Sequence, residues 1–282
     1  AITGFSDDEL SELAGIEAPE GDEDAEPQTD RADELKEEWG TAAGQVWQLG
    51  DHSLMCGDST SADDVGTLMD GEKAGLCFTS PPYGQQRDYT EESDCTDWDA
   101  LMNGVFGNLP MTDDGQVLVN LGMIHREGEW IPYWDGWIGW MRSRGWRRFG
   151  WYVWDQGPGM PGDWNGRLAP SHEFIWHFNK ESVRASKARE CKHAGVGHTG
   201  KGQRGKDGKV KLRSEGHSVI QSHAIHDSIF RVNRQGATEE GHPAQYPVGL
   251  PFLAIQSWPG DIYEPFSGSG TTIIAAEQLG RK

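Results

Sequence analysis

Residues 261–272 read Asp261-Ile-Tyr-Glu-Pro-Phe-Ser-Gly-Ser-Gly-Thr-Thr272, and Ile273-Ile-Ala-Ala-Glu-Gln-Leu279 follows. A short strand runs into a loop carrying Gly268 and Gly270, and an Ala- and Ile-rich helix starts directly after it. Glycines at such a turn let the backbone approach a ligand, and the start of the helix offers N–H groups without intrahelical partners. No Gly-Lys-Ser/Thr follows, so this is not a phosphate-binding P-loop. Taken alone the stretch is equally a tight β–α turn or a cofactor loop.

Working outward, a second stretch stands some 185 positions earlier. Ala74-Gly-Leu-Cys-Phe-Thr79 is a short apolar run bounded by glycine and proline, which predicts a buried strand. It ends in Ser80-Pro81-Pro82-Tyr83. Two prolines stiffen that turn and remove two N–H donors, which leaves carbonyls free to meet a partner. The tyrosine is carried at the carboxyl edge of the sheet, where ligands of α/β folds bind. Taken alone, Pro-Pro-Tyr would be a strand-ending turn with a packed ring.

The intervening chain alternates between the two periodicities. Residues 46–58 predict two short strands around Gly50-Asp51, and Ser61 caps a helix with Val65, Leu68 and Met69 on its apolar side. Residues 54–80 thus predict a β-α-β unit. Helices are predicted at 98–109 and 130–145, with strands at 116–122, 147–155 and 172–178. Strands alternating with helices imply a doubly wound, mostly parallel α/β sheet.

Charge divides the chain unevenly. The formal charge of the 282 residues is −20, yet residues 1–50 hold 15 acidic and 2 basic side chains. Residues 181–215 hold 10 Lys or Arg and 4 Asp or Glu, a net of +6 in a Gly-rich, apolar-poor stretch. The global acidity therefore does not exclude a nucleic-acid partner. No run of about 18 apolar residues predicts a membrane span. The four cysteines, Cys56, Cys77, Cys95 and Cys191, show no CxxC spacing, so neither zinc nor a disulfide framework is expected, and a reducing cytoplasm fits. Most of the 13 tryptophans are expected in the core or in cleft walls.

The two motifs together resemble those of the DNA amino-methyltransferases, which use S-adenosylmethionine to methylate cytosine N4 or adenine N6. The family's (Asp/Asn/Ser)-Pro-Pro-(Tyr/Phe/Trp) motif is matched by Ser80-Pro81-Pro82-Tyr83, and its Phe-x-Gly-x-Gly motif by Phe266-Ser-Gly268-Ser-Gly270. The catalytic motif comes first, as in the circularly permuted beta group. The segment His242-Pro-Ala-Gln-Tyr-Pro-Val-Gly-Leu-Pro251 resembles that group's approach helix. The resemblance covers about residues 44–282. It implies a Rossmann-like methyltransferase sheet, with S-adenosylmethionine as cofactor and double-stranded DNA as partner. It implies cofactor contacts from Asp58, Glu264, Phe266, Gly268, Gly270 and Thr271, and catalysis by Ser80, Pro81, Pro82 and Tyr83 on a base flipped out of the duplex. Glu264 stands where relatives usually carry Asp. Ser before Pro-Pro leans the reading to cytosine N4, with adenine N6 as the alternative and a non-catalytic DNA-binding remnant as the second.

The basic stretch falls where the family places target recognition. It offers Arg184, Lys187, Arg189, Lys192, Lys201, Arg204, Lys206, Lys209, Lys211 and Arg213 to phosphates. The expected organisation is an acidic helix and linker at 1–43, a catalytic half at 44–180, a basic insertion at 181–240 and a cofactor-binding segment at 241–282. Relatives continue past the helix at 273–279 into a strand with a ribose-binding acid, so the expected sheet lacks its last strand or strands. Residues 2–15 resemble the tail of a ParB-like domain fused upstream in phage and bacterial relatives, and a homodimer is compatible with the family.

Overall fold

The computed structural model describes residues 31–83, 97–159, 161–198, 203–204, 206, 209–211, 218–234 and 246–282. Helix α1 (Ala32–Trp39) leads into the hairpin β1 (Gln45–Leu49) and β2 (His52–Cys56). Helix α2 (Ala62–Met69) is capped by Ser61, whose side chain accepts from Asp64 N, and precedes β3 (Ala74–Thr79). Then come α3 (Trp98–Gly107), β4 (Met111–Leu121), the hairpin β5 (Ile124–Arg126) and β6 (Glu129–Ile131), α4 (Asp135–Ser143), β7 (Arg147–Asp155) and β8 (His172–Asn179). The basic stretch and the chain after it form two-residue strands: β9 (Arg189–Glu190), β10 (Gly197–His198), β11 (Gln203–Arg204), β12 (Val210–Lys211), β13 (Ser218–Val219) and β14 (His223–Ala224). The chain closes with β15 (Ile229–Arg231), α5 (Gly249–Ser257), β16 (Ile262–Tyr263) and α6 (Thr271–Gln278).

Six strands form the main sheet in the order β15-β7-β8-β4-β3-β16. The pairs β15–β7, β4–β3 and β3–β16 are parallel, and β8 runs antiparallel to both of its neighbours. The sheet is thus mostly parallel as expected, with one reversed strand inside it. One face packs Cys77, Val117, Val119, Leu121 and Phe178 against Met102, Trp137 and Met141 of α3 and α4. The other packs Leu76, Phe78, Leu118 and Ile175 against Leu250, Ile255 and Ala275 of α5 and α6. Alternating residues of the same strands feed the two clusters, which is why these strands read as continuous apolar runs.

Two expectations need correction. Residues 54–80 do not form a β-α-β unit of one sheet, because among the described residues β2 pairs only with β1 and stands outside the main sheet. The hairpin turn satisfies the strand locally, with Gly50 in the left-handed region (φ 60°). Helix α4 also begins later than 130, because residues 124–131 form a hairpin around Glu127-Gly128 (φ 50° and 84°), a left-handed pair that suits a tight turn.

Residues 1–30 lie outside the described residues, and with them most of the expected acidic helix and linker and the ParB-like resemblance. No helix among the described residues is long and apolar enough to cross a membrane.

Candidate active site and cofactor cleft

The two motifs meet because β16 lies parallel beside β3, with Ile262 opposite Leu76 and Tyr263 opposite Cys77. The backbones approach closely at Gly75 and Gly260: a Cβ on Gly75 would sit 2.8 Å from Gly260 Cα and from Pro259 O. Gly75 N and Leu76 N both donate to Asp261 O, at 3.0 and 3.1 Å. Parallel strands end on the same edge, so the Ser80–Tyr83 turn and the 264–270 loop emerge side by side.

Register sets which side chains share that edge. Phe78 lies opposite Leu118 on β4, and Asn120 lies opposite Ile175 on β8. Strand alternation then carries Ser80, Asn120 and Glu173 to one face. The hydrogen bonds agree. Tyr83 Oη donates to Glu173 Oε2 at 2.5 Å, and Asn120 Nδ2 donates to the same oxygen at 2.6 Å and to Tyr83 Oη at 3.1 Å. Ser80 Oγ stands 3.5 Å from both Tyr83 Oη and Asn120 Nδ2, a loose contact. Burial and the Glu173 carboxylate push the Tyr83 phenol well above its ordinary pKa.

Two further contacts seat the turn. Trp98 Nε1 donates to Pro82 O at 2.8 Å, so that carbonyl is engaged rather than free as its position in the turn suggests. The Tyr83 ring lies over Gly122, where a Cβ would stand 2.7 Å from its Cε2.

On the cofactor side, a cleft of about 720 Å³ is lined by Asp58, Glu264, Gly268 and Thr272, and by apolar side chains that include Leu54, Leu68, Tyr263 and Ile273. It runs along the edge of β16 that faces the β1–β2 hairpin. Lys282 O accepts from Ile262 N at 2.7 Å along that edge. Of the six predicted cofactor residues, Asp58, Glu264 and Gly268 line this cleft. Phe266, Gly270 and Thr271 belong to the same loop and helix start but stand off its wall.

Asp58 is exposed, and its Oδ1 already accepts from Thr60 N and Thr60 Oγ1 at 2.8 and 2.7 Å. Glu264 receives Tyr246 Oη at 3.1 and 3.2 Å, and Tyr246 Oη lies 2.9 Å from Thr272 Oγ1. Burial pushes the Glu264 carboxyl up to about 7, while the hydrogen bonds from Thr272 and Tyr246 pull it down. Gly268 and Gly270 adopt φ 52° and 80°, and a Cβ on Gly270 would meet nothing within 4 Å, so the loop faces open space. A loop that yields room, beside a half-buried carboxylate that a cation would discharge, fits the amino-acid end of S-adenosylmethionine. The volume and apolar lining of the cleft fit its remainder.

The basic residues are placed in part. Arg184, Lys187, Lys192, Lys206 and Lys209 are exposed. Lys187 bonds Gln221 at 2.5 Å, and Arg189 pairs with Asp227 at 3.6 Å. Arg204 and Lys211 belong to the β11–β12 ladder, whereas Lys201 and Arg213 lie outside the described residues. Cys56, Cys77 and Cys191 are free thiols; Cys95 also lies outside the described residues.

Asn120, Glu173, Trp98, Gly122 and Tyr246 contact the candidate site residues and were passed over by sequence reasoning. Asn120 gave one signal, a polar residue inside the apolar run Gln116–Leu121. Glu173 gave none that separates it from a surface carboxylate at a strand start.

Comparison with known proteins follows the same line. No curated protein matches the sequence. Among solved structures, the chain is similar to PvuII DNA methyltransferase (cytosine-N4-specific), at 17% identity, covering 80% of this chain and 78% of that one with a TM-score of 0.54. It is also similar to M1.HpyAVI in its SAM complex, at 14% identity, covering 78% and 84%, with a TM-score of 0.45. At such identities the likeness concerns the fold. The model of the N6/N4 methyltransferase family, described as DNA methylase, matches residues 74–282, which include both motifs and the strands that bring them together. The chain therefore belongs to that DNA methylase family and is an S-adenosylmethionine-dependent DNA amino-methyltransferase.

Proposed function

We propose that the chain methylates the N4 amine of cytosine in DNA, with Ser80–Tyr83 at the target base and the 264–271 loop at the cofactor. The observation that carries this reading is the parallel pairing of β3 with β16, which sets both motifs on one sheet edge. The serine at position 80 supports cytosine over adenine, since the family's adenine-N6 enzymes more often carry Asp or Asn there.

When bound, S-adenosylmethionine supplies an electrophilic methyl group; the chain's own residues prepare the amine. An exocyclic amine is a poor nucleophile because its lone pair conjugates with the ring. Ser80 Oγ and Pro81 O accept its two hydrogens, draw the nitrogen toward tetrahedral geometry and release that lone pair. Tyr83 offers its ring to the flipped base, whose extrusion costs a few kcal/mol. Glu264 would hold the cofactor's amino group, and Asp58 would meet its adenine. The work is positioning and preorganised electrostatics. No cysteine acts in it.

Residues 181–215 contact DNA phosphates in this reading. Their +6 charge and the exposed Arg184, Lys187, Lys192, Lys206 and Lys209 support it. The division at 43, 180 and 240 follows as a functional one, into linker, catalytic half, DNA-reading insertion and cofactor segment.

The test is transfer of an isotopically labelled methyl group to unmethylated DNA, to RNA and to free nucleosides, followed by digestion of the DNA. Labelled N4-methylcytosine is expected. Labelled N6-methyladenine would reverse the base assignment, and label on RNA or nucleosides alone would overturn the DNA reading.

A further inference from the structure

The amine-side cluster contains a carboxylate to which none of the motifs points. Glu173 sits at the start of β8, two strands away from the Ser80–Tyr83 turn. Its Oε2 collects a proton from Tyr83 Oη and another from Asn120 Nδ2, at 2.5 and 2.6 Å. Such short charge-assisted bonds are directional. They also decide the orientation of the Asn120 amide, because only its nitrogen can face a carboxylate. Asn120 Oδ1 is then turned away from Glu173. It is a buried acceptor with no partner among the described residues, in a side chain that is 1% exposed. A buried polar atom left unpaired is costly and calls for a donor.

Resting on the function proposed above, we infer that Glu173 is a positioning residue for methyl transfer: it draws the protons of Tyr83 and Asn120 toward itself, so that a Ser80 Oγ lone pair stays open as an acceptor for the target amine. Tyr83, having donated to Glu173, can accept the Ser80 hydroxyl proton, which leaves the serine oxygen facing outward as an acceptor. A glutamine at 173 keeps an acceptor oxygen but loses the charge that draws both protons. Its neutral amide holds Tyr83 and Asn120 more weakly and can also turn its nitrogen to the phenol, which releases the phenol proton to Ser80 and occupies the lone pair meant for the amine. Glu173→Gln thus keeps size and packing while removing the charge that fixes the direction of the hydrogen bonds.

The experiment compares wild type, Glu173→Gln, Glu173→Asp, Tyr83→Phe and the double variant Glu173→Gln/Tyr83→Phe, using labelled S-adenosylmethionine and unmethylated mixed-sequence DNA. Thermal unfolding, calorimetric titration with S-adenosylmethionine and DNA binding by fluorescence anisotropy serve as readouts besides turnover. Glu173→Gln is expected to lose kcat on the order of 100-fold, the scale set by misplacing reacting groups. Its Tm, cofactor affinity, DNA affinity and KM should stay near wild type. Glu173→Asp should recover part of the rate, and the double variant should be no slower than its slower parent. Turnover of Glu173→Gln close to that of an active wild type would overturn the inference, as would a rate loss matched by lost cofactor or DNA binding. A wild type that labels no DNA would instead sink the function on which it rests.

Discussion

Replacing Gly122 by Ala probes the seat of Tyr83 without touching either motif. The added Cβ would stand 2.7 Å from Tyr83 Cε2, 3.2 Å from Cδ2 and 3.4 Å from Cζ. Carbon atoms rest at about 3.5–4.0 Å, so the ring must retreat by about 1 Å. It is not free to do so. Its hydroxyl is held by Glu173 at 2.5 Å, and Trp98 anchors Pro82 O at 2.8 Å. A retreat of about 1 Å stretches the Tyr83–Glu173 bond to the limit of hydrogen bonding. Losing a bond to a charged partner costs about 1.5–3 kcal/mol. Gly122 is outside the left-handed region, so alanine brings no backbone strain of its own. The expected result is a kcat lowered on the order of 100-fold with little change in cofactor affinity. Initial-rate methyl transfer, calorimetric cofactor titration and thermal unfolding report on it. In a Tyr83→Ala background the same substitution should be silent, since no ring remains to be pushed. Gly122→Ala turnover within about threefold of wild type, or an equal loss without the ring, would refute the reasoning.

Three further outcomes are expected. Tyr83→Ala should slow transfer strongly while sparing the fold, because a base stacked on an aromatic ring gains about 1–3 kcal/mol; near-normal rates would remove Tyr83 from the site. The Glu264 carboxyl is raised to about 7 in the folded chain, so between its unfolded value near 4 and that pH the native state holds a proton which the unfolded chain has lost. Stability from this group is therefore full at low pH and falls as pH rises through about 7. A cationic partner needs the ionised form, so cofactor affinity should rise over the same window, and calorimetry of Glu264→Gln should show a flatter profile; a wild-type affinity independent of pH would contradict the contact. DNA affinity should drop steeply with salt if several of the 181–215 cations meet phosphate, and a flat salt response in anisotropy titrations would contradict that role.

The fold was legible where one periodicity ruled and nothing distant competed. The strand at 74–79, the Ser61-capped helix and the strand–loop–helix at 262–278 follow from apolar spacing, a cap and paired glycines. What was not legible depended on pairing between distant segments. The reversed strand β8 looks in sequence like any buried strand, and only its register against β4 and β7 shows its direction. For the same reason β2 read as a sheet strand although its hydrogen bonds stay within its hairpin. The motif residues were legible through resemblance, whereas their supports were not. Glu173 comes from the start of β8 and Trp98 from the first turn of α3, and neither position carries a local signal. The buried set Gln116, His177 and Asn179 was equally hidden, for each looks like a polar interruption until the register joins them at 2.9 Å. Burial then pushes His177 down to about 3, which marks it as a neutral structural partner.

The claim beneath all of this is that a methyl donor and a base amine meet at the shared edge of β3 and β16. A crystal structure of the chain with S-adenosylhomocysteine tests it most directly. The account predicts the ligand beside Glu264 and Gly268, reaching toward Asp58, with its sulfur turned to Ser80. Density for it on another face of the sheet, away from Glu264 and Gly268, would contradict the account.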